Sequence, residues 1–334
     1  MTVSKEETQR AKATGVTRTR LLESLEPRLL ERRRMAGGRL RESLAALVPL
    51  VPGADVRRVF GGLEPESRKG FALLHHMAEE VREATASRDA ERLVQGFQIP
   101  AAGEGSPAEL DTEAGPVRFV DGALCHSAFS AESGTTTTWL SAEALRSPAP
   151  ISAEFARDAC AAVWRTGFGA YLQHGLSAVV LRGHFDETGT LFSYSMAKFP
   201  YTIFLDWSDD PFIFGECLLH ESAHCWLNDA FLAFEEPLST EPFGPSPWKD
   251  GVMRPAFGLI HAAHAFSILT SYFRDVKDDP SVSSETREYC AVREKVERAR
   301  LRSAEVTVTR ALDQMRAQEL AEVVRFEMSY AING

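Results

Sequence analysis

The stretch His220-Glu221-Ser222-Ala223-His224 constrains this chain of 334 residues most strongly, because it places an H-E-x-x-H pattern inside a long apolar run. Residues four apart lie on one face of a helix, so both imidazoles can reach one metal ion while Glu221 lies beside it. Asp210 and Pro211 predict an N-cap and a first turn, which puts the pattern about two turns inside the helix. The sequence therefore predicts a metal site on a buried helix.

The identity of a third ligand separates the chemistries open to such a site. A metzincin is excluded, because Leu227 and Ala230 stand where that class requires Gly and His. A gluzincin would use a downstream Glu on a second helix. Glu235 and Glu236 lie 11 and 12 residues after His224, at the start of a proline-rich loop, and are poor candidates.

Two histidines on the next apolar stretch are better placed. His261 and His264 follow His224 by 37 and 40 residues, and the intervening loop lets their helix return antiparallel to the first. We predict His261 as the third ligand. His264, one turn further on, is predicted to support His261 or to hold substrate.

Three neutral histidines would leave a divalent ion with its full charge and with open coordination positions. A zinc-bound hydroxide with Glu221 as general base would hydrolyse peptides, whereas Fe(II) could bind a chelating keto acid and then O₂. A third interpretation is a structural metal protein whose arginine-rich N-terminus binds a partner. The residues alone leave these three open.

The composition of the chain limits its possible partners and its location. Residues 1–45 carry 11 Lys or Arg and 6 Glu, although the whole chain has a net charge of −10. The basic run is typical of a solvated helix face, and we expect no nucleic-acid partner. The five cysteines form no C-x-x-C pair, which argues against a thiolate zinc site or a disulfide framework. Without an 18-residue apolar segment or a secretory signal, no membrane association and a cytoplasmic location are expected.

The pattern of elements predicts an α+β fold, mostly helical, with a small antiparallel sheet next to the H-E-x-x-H helix. Residues 1–20 are expected to be disordered, 21–99 to form a helical N-terminal layer, 100–116 to be a linker or loop, and 117–334 to be the metal-binding catalytic region. The predicted strands are residues 177–183, 190–196 and 201–206, which are rich in β-branched and aromatic residues.

Three blocks between Tyr201 and Phe266 together carry a resemblance. They are L-L-H-E-S-A-H-C-W-L-N from residue 218, S-P-W-K-D-G-V-M-R-P from residue 246 and L-I-H-A-A-H-A-F from residue 259. In this order and spacing the chain resembles the H-E-x-x-H-type peptide modification proteins of ribosomal peptide natural-product clusters. Some members of that family are 2-oxoglutarate-dependent peptide β-hydroxylases. The blocks cover about a fifth of the chain.

The resemblance implies Fe(II), 2-oxoglutarate and O₂ rather than zinc, a helical scaffold that is not a cupin or double-stranded β-helix, and a peptide substrate, with a precursor peptide as the expected partner. His220, His224 and His261 match its metal-binding positions. It implies that Arg254 binds the distal carboxylate of 2-oxoglutarate.

In the same loop as Arg254, Trp248 and Lys249 are expected to line the keto-acid or substrate pocket. Glu221 would be an anionic neighbour of iron in an oxygenase, or the general base in the alternative, a zinc metallopeptidase. One departure from the family is Ala262, where a glycine usually follows the third histidine.

Overall fold

The computed structural model describes residues 5–51, 54–130, 135–184 and 192–334. The chain forms two compact units, each built from separate stretches of sequence. The first comprises Met1–Arg28, Asp158–Gly175 and Asp210–Gly334, and it contains every predicted site residue. The second comprises Leu29–Arg157 and Leu176–Asp209, and it contains the largest sheet.

Helices dominate both units, as the sequence predicted. They are α1 (Lys5–Ala45), α2 (Val56–Phe60), α3 (Arg68–Ser87), α4 (Ala90–Gly96), α5 (Ile99–Gly103), α6 (Ala142–Arg146), α7 (Ala153–Arg165), α8 (Gly169–Gly175), α9 (Pro211–Ala233), α10 (Ala256–Lys277), α11 (Ser284–Asp313) and α12 (Gln318–Asn333).

The strands form one sheet of five and two small hairpins. They are β1 (Glu109–Thr112), β2 (Gly115–Asp121), β3 (His126–Ser130), β4 (Thr135–Trp139), β5 (Ala178–His184), β6 (Ser193–Ser195), β7 (Thr202–Trp207), β8 (Gly244–Pro245) and β9 (Met253–Arg254). The order in the large sheet is β1-β2-β5-β7-β6, while β3 pairs with β4 and β8 with β9. No strands in the described ranges close into a barrel.

The large sheet is mixed, where an antiparallel one was expected. Strands β2, β5 and β7 pair in parallel, and only the two edge strands β1 and β6 are antiparallel to their neighbours. Its central strands are apolar on both faces, as the burial of Val179, Val180 and Phe204 shows, which is typical of parallel strands. The sheet belongs to the second unit and the H-E-x-x-H helix to the first.

Two predicted segments differ from the structure. Helix α1 begins at Lys5, inside the segment 1–20 expected to be disordered, and Arg18 is only 2 % exposed. Residues 100–116, expected to be a linker or loop, contain the end of α5, strand β1 and the first residues of β2. Two glycines of this segment, Gly105 and Gly115, have φ values of +62° and +93°, which favour glycine, and Gly115 follows the tight turn between β1 and β2.

Helix α10 is the one helix in the described ranges that is long and apolar enough to cross a membrane. About 78 % of its most apolar stretch of 18 residues is buried inside the protein. Such burial is what the core helix of a soluble protein shows, and α10 is accordingly a core element of the first unit.

Candidate metal site

Helix α9 carries the H-E-x-x-H residues and begins as the sequence predicted. The Asp210 carboxylate accepts hydrogen bonds from the N–H groups of Phe212 and Ile213, and Pro211 occupies the first turn. Because they are four residues apart, His220 and His224 lie on the same face of this helix. Glu221, one position further round, is 3 % exposed.

Three imidazoles form a continuous row, which we call the histidine row: His220, His224 and His261. The Nε2 atoms of His220 and His224 are 3.2 Å apart, and the Nδ1 atoms of His224 and His261 are also 3.2 Å apart. His224 thus lies in the middle and turns a different nitrogen to each neighbour. Helix α10 brings His261 to α9, as predicted from the sequence.

The row is neutral at physiological pH. Burial, aided by the charge of Arg293, lowers the pKa of His220 to about 4. Burial and the neighbouring His220 lower the pKa of His224 to about 4, although the charge of Glu221 opposes this shift. Burial likewise lowers the pKa of His261 well below its usual value. Neutral imidazoles are the form that binds metal ions.

Both ends of the row lack a hydrogen-bond partner. His220 Nδ1 and His261 Nε2 are buried, and no atom of the described residues pairs with either. An unpaired buried polar atom costs about 1–3 kcal/mol, and each neutral imidazole has a lone pair to offer a metal ion. These two nitrogens are the ones that His220 and His261 do not turn towards His224, and the described hydrogen bonds leave them unsatisfied.

The spacing of His220 and His224 also fits a shared metal ion. Two imidazoles bound at about 2.1 Å from one ion hold their nitrogens roughly 3.0–3.4 Å apart, and the observed separation of the two Nε2 atoms is 3.2 Å. His261 fits less closely, because it approaches the Nδ1 edge of His224. Accordingly, no three His, Cys, Asp or Glu side chains of the described residues converge on one point.

Aromatic rings enclose both ends of the row. The ring of Phe266 lies 5.2 Å from that of His220, centroid to centroid. At the other end, the rings of Phe257 and Phe231 lie 4.2 Å and 5.6 Å from that of His261. His220 keeps 18 % of its side chain exposed and His224 is also half-buried, so these two members of the row remain accessible to solvent.

The loop residues predicted to line the site occupy different settings. Trp248 stacks on Phe266, with ring centroids 5.0 Å apart and planes 9° apart, and its indole N–H donates to Glu297. Through Phe266, Trp248 is therefore connected to the His220 end of the row. Lys249, by contrast, is exposed.

Arg254 ends strand β9 and is half-buried. Its charge contributes to the low pKa of His224, after burial and the neighbouring His220. One weak hydrogen bond joins it to the Gly258 carbonyl, at 3.5 Å. Within the described ranges no carboxylate pairs with this guanidinium.

Glu235 and Glu236 do not take part in the site. The buried Glu236 carboxylate accepts a hydrogen bond from the N–H of Ala317, at the N-terminus of α12. Glu235 ends the turn after α9 with a φ of +53°. These positions agree with the expectation that both residues are poor candidates for metal ligands.

A charged cluster next to His220 had no signal in the sequence. Glu216, one turn before His220, lies 3.2 Å from Arg293 and accepts a hydrogen bond from the Tyr289 hydroxyl. Burial raises the pKa of Glu216. Arg293 also approaches Glu297, so its charge is matched by carboxylates, unlike that of Arg254. The partners lie on α11, some 70 residues further along the chain.

A second unexpected feature is a close approach of α8 to the motif itself. A Cβ atom on Gly175, the last residue of α8, would collide with the backbone carbonyl of Ser222. Only glycine allows the two backbones to come so near. Gly175 therefore helps to set where the H-E-x-x-H turn of α9 lies in the first unit.

No protein-family model matches the chain, and no curated protein shows significant similarity to it.

Proposed function

We propose that this chain is a non-haem Fe(II)- and 2-oxoglutarate-dependent oxygenase that hydroxylates the β-carbon of a side chain in a ribosomally made peptide. The observation that carries the proposal is a half-buried, neutral histidine row together with the guanidinium of Arg254, whose charge acts on His224 and which pairs with no carboxylate in the described ranges. A metal ion on neutral ligands and a free cation together suit a ligand that chelates through one end and is anionic at the other.

His220, His224 and His261 would hold the ion. Fe(II), when bound with 2-oxoglutarate and O₂, supplies oxidising chemistry that no protein side chain has. The protein's part is to present neutral nitrogens, and burial ensures this because it keeps all three imidazoles unprotonated. The Nε2 atoms of His220 and His224 fit one ion, whereas His261 faces Nδ1 of His224 and would have to turn to complete the set.

Arg254 would bind the distal carboxylate of 2-oxoglutarate. A guanidinium offers two parallel N–H groups to a carboxylate, and the pairing is strong where water is partly excluded. Arg293 is also close enough to lower the pKa of His220, but Glu216 and Glu297 already neutralise it. Arg254 is therefore the better candidate of the two.

The rings around the row would exclude water from the reacting groups. Phe266 with Trp248 covers the His220 end, and Phe257 with Phe231 covers the His261 end. Apolar walls of this kind suit an aliphatic side chain of a substrate peptide, and they protect reactive species from side reactions. We also propose that the protein works in the cytoplasm on a precursor peptide.

One observation favours a second candidate, a zinc metallopeptidase. Glu221 Oε1 lies 3.9 Å from His220 Nε2, beside the pair of nitrogens that fits a metal ion. A carboxylate in this place could take a proton from a zinc-bound water. In the oxygenase, Glu221 would instead be an anionic neighbour of the ion.

Anaerobic titration of the Fe(II)-loaded protein with 2-oxoglutarate tests the proposal. We expect a weak visible charge-transfer band, and we expect Arg254→Ala to raise the 2-oxoglutarate concentration needed by about 10–100-fold, the cost of losing a charged hydrogen bond. Iron stoichiometry should not change. Arg310→Ala is the matched control, since Arg310 stacks on Phe243 beside the same β8–β9 hairpin and is not among the charges that shift the pKa values of the row.

The two candidates predict different outcomes. Absence of the band, together with tight zinc binding and peptide cleavage that Glu221→Gln abolishes, would favour the peptidase. A band that appears equally in wild type and Arg254→Ala would support the oxygenase but assign the carboxylate to another cation.

A further inference from the structure

Four buried side chains form a row of hydrogen bonds that ends at His264 of α10. They come from the first helix, the last helix, α8 and α10. Arg18 of α1 pairs with Glu327 of α12, with Nε to Oε1 at 2.6 Å and Nη2 to Oε2 at 3.1 Å. The Tyr171 hydroxyl lies 3.3 Å from Glu327 Oε1 and 2.9 Å from His264 Nε2. All four side chains are at most 2 % exposed. We call them the tyrosine relay.

The relay determines which nitrogen of His264 carries hydrogen. The Tyr171 hydroxyl has one hydrogen and two possible acceptors, but a carboxylate can only accept. If that hydrogen pointed to His264, a phenolic lone pair would face a carboxylate oxygen in a dry interior. The hydrogen therefore goes to Glu327, and the phenolic oxygen accepts from the Nε2–H of His264.

This assignment leaves His264 Nδ1 as a bare lone pair. That atom is buried and has no partner among the described residues. The ring is held edge-on to Tyr171, at 5.4 Å, and tilted against Trp226, at 5.6 Å. His264 is thus fixed in both tautomer and orientation, one helical turn from His261.

We propose that Tyr171 is a positioning residue for the metal site: its hydroxyl fixes His264, and the fixed His264 sets the rotation of α10 that presents His261 to His224. This inference rests on the proposed metal site but on neither of the two reactions. Arg18 and Glu327 contribute because their ion pair keeps a charged acceptor in front of Tyr171.

The Tyr171→Phe variant tests the proposal, since it keeps the ring contacts and removes only the hydroxyl. Zn(II) alone, added in a competition titration to the metal-free full chain, should bind about tenfold more weakly, within the range that outer partners of metal ligands show. In ¹⁵N NMR of histidine-labelled protein, His264 should change from a pure Nε2–H tautomer to a mixture.

Tyr272→Phe is the matched control. Tyr272 lies on α10, the helix that carries His261 and His264. It is 1 % exposed and donates one hydrogen bond to the carbonyl of Phe212 on α9. A merely structural role for tyrosine hydroxyls on these helices would weaken Zn(II) binding equally in both variants. We expect Tyr272→Phe to leave both the His264 tautomer and the Zn(II) affinity at their wild-type values.

The possible outcomes separate this inference from the function on which it rests. Wild type that binds Zn(II) tightly, with Tyr171→Phe unchanged in affinity and tautomer, would overturn the positioning role alone. Wild type that binds neither Zn(II) nor Fe(II) would overturn both. A tautomer change without a change in affinity would also contradict the role, because the relay would then act on His264 but not on His261.

Discussion

Two polar clusters of this protein differ in how completely their atoms are paired. In the second unit, the Glu80 cluster joins one carboxylate to Arg92, His126 and the indole of Trp139. Glu80 is 1 % exposed, and both its oxygens are bonded. In the first unit, the histidine row contains no charge and ends in two unpaired nitrogens.

The difference separates a structural cluster from a site. Buried polar groups in native proteins are nearly always paired, and an exception calls for an explanation such as a missing ligand. The Glu80 cluster connects α3 to α4 and to the β3–β4 hairpin and needs nothing more. The histidine row, by contrast, leaves His220 Nδ1 and His261 Nε2 without a partner among the described residues. Four predictions test this contrast.

His224→Ala should have the largest effect. The binding energy of a structural zinc ion, about 10–16 kcal/mol, corresponds to roughly 3–4 kcal/mol per ligand, so metal affinity should fall at least about 100-fold. Equilibrium dialysis with Zn(II) or Fe(II) measures this. Stoichiometric metal at unchanged affinity in the variant would show that the row is not the site.

Glu80→Gln should lower the free energy of unfolding rather than the metal affinity. Loss of one partner from a buried charged cluster typically costs 3–5 kcal/mol, and because Arg92 is 27 % exposed we expect about 3 kcal/mol from urea unfolding. Metal affinity should not change. A variant with wild-type stability would mean that the pairing of Glu80 contributes little, and the contrast with the row would weaken.

The pH dependence of stability provides a third test, through His76. Burial lowers the pKa of this residue to about 3, and its neighbour His75 lowers it further, whereas the unfolded value is about 6.5. The folded state therefore binds fewer protons, and the stability contribution is complete above pH 6.5 and is lost as the pH falls towards 3.

Between pH 7 and 5 the linkage amounts to about 2 kcal/mol for this one group. His76→Gln retains an acceptor for the N–H of Leu140 and a donor for Thr202 but cannot titrate. Urea unfolding at the two pH values should thus show a smaller loss in the variant by about that amount. Equal losses would place the acid sensitivity elsewhere.

The smallest expected effect is that of Trp248→Phe. The substitution keeps a ring on Phe266 and removes the hydrogen bond to Glu297, which Arg300 also binds. We expect a loss of about 1 kcal/mol in unfolding free energy and an unchanged requirement for 2-oxoglutarate. An increased requirement would mean that Trp248 contacts the keto acid directly, as the resemblance implied.

The sequence predicted those features that depend on residues close together in the chain. The apolar periodicity, Asp210 and Pro211 predicted α9, and a second apolar run predicted α10, because these signals lie within a few residues of one another. The pairing of parallel strands was not predicted. Strands β2 and β5 are some 60 residues apart, and neither contains a sequence signal that identifies the other.

The same limit applies within the site. The histidine row could be predicted because H-E-x-x-H is a local pattern, and His261 followed from one helix to the next. Arg18 and Glu327 are separated by 309 positions, and nothing in a single sequence pairs an arginine of the first helix with a glutamate of the last. Residues that hold the site, rather than form it, were therefore found only in the structure.

The contact between Gly175 and Ser222 provides a marker for recognising relatives. Because a side chain at residue 175 would displace the motif turn, proteins that share this site should have glycine 45 residues before the first motif histidine, apart from insertions. A search pattern that combines this glycine with the H-E-x-x-H pentad would be more selective than the pentad alone. Chains in which a larger residue replaces it would be expected to build the site on a different helix packing.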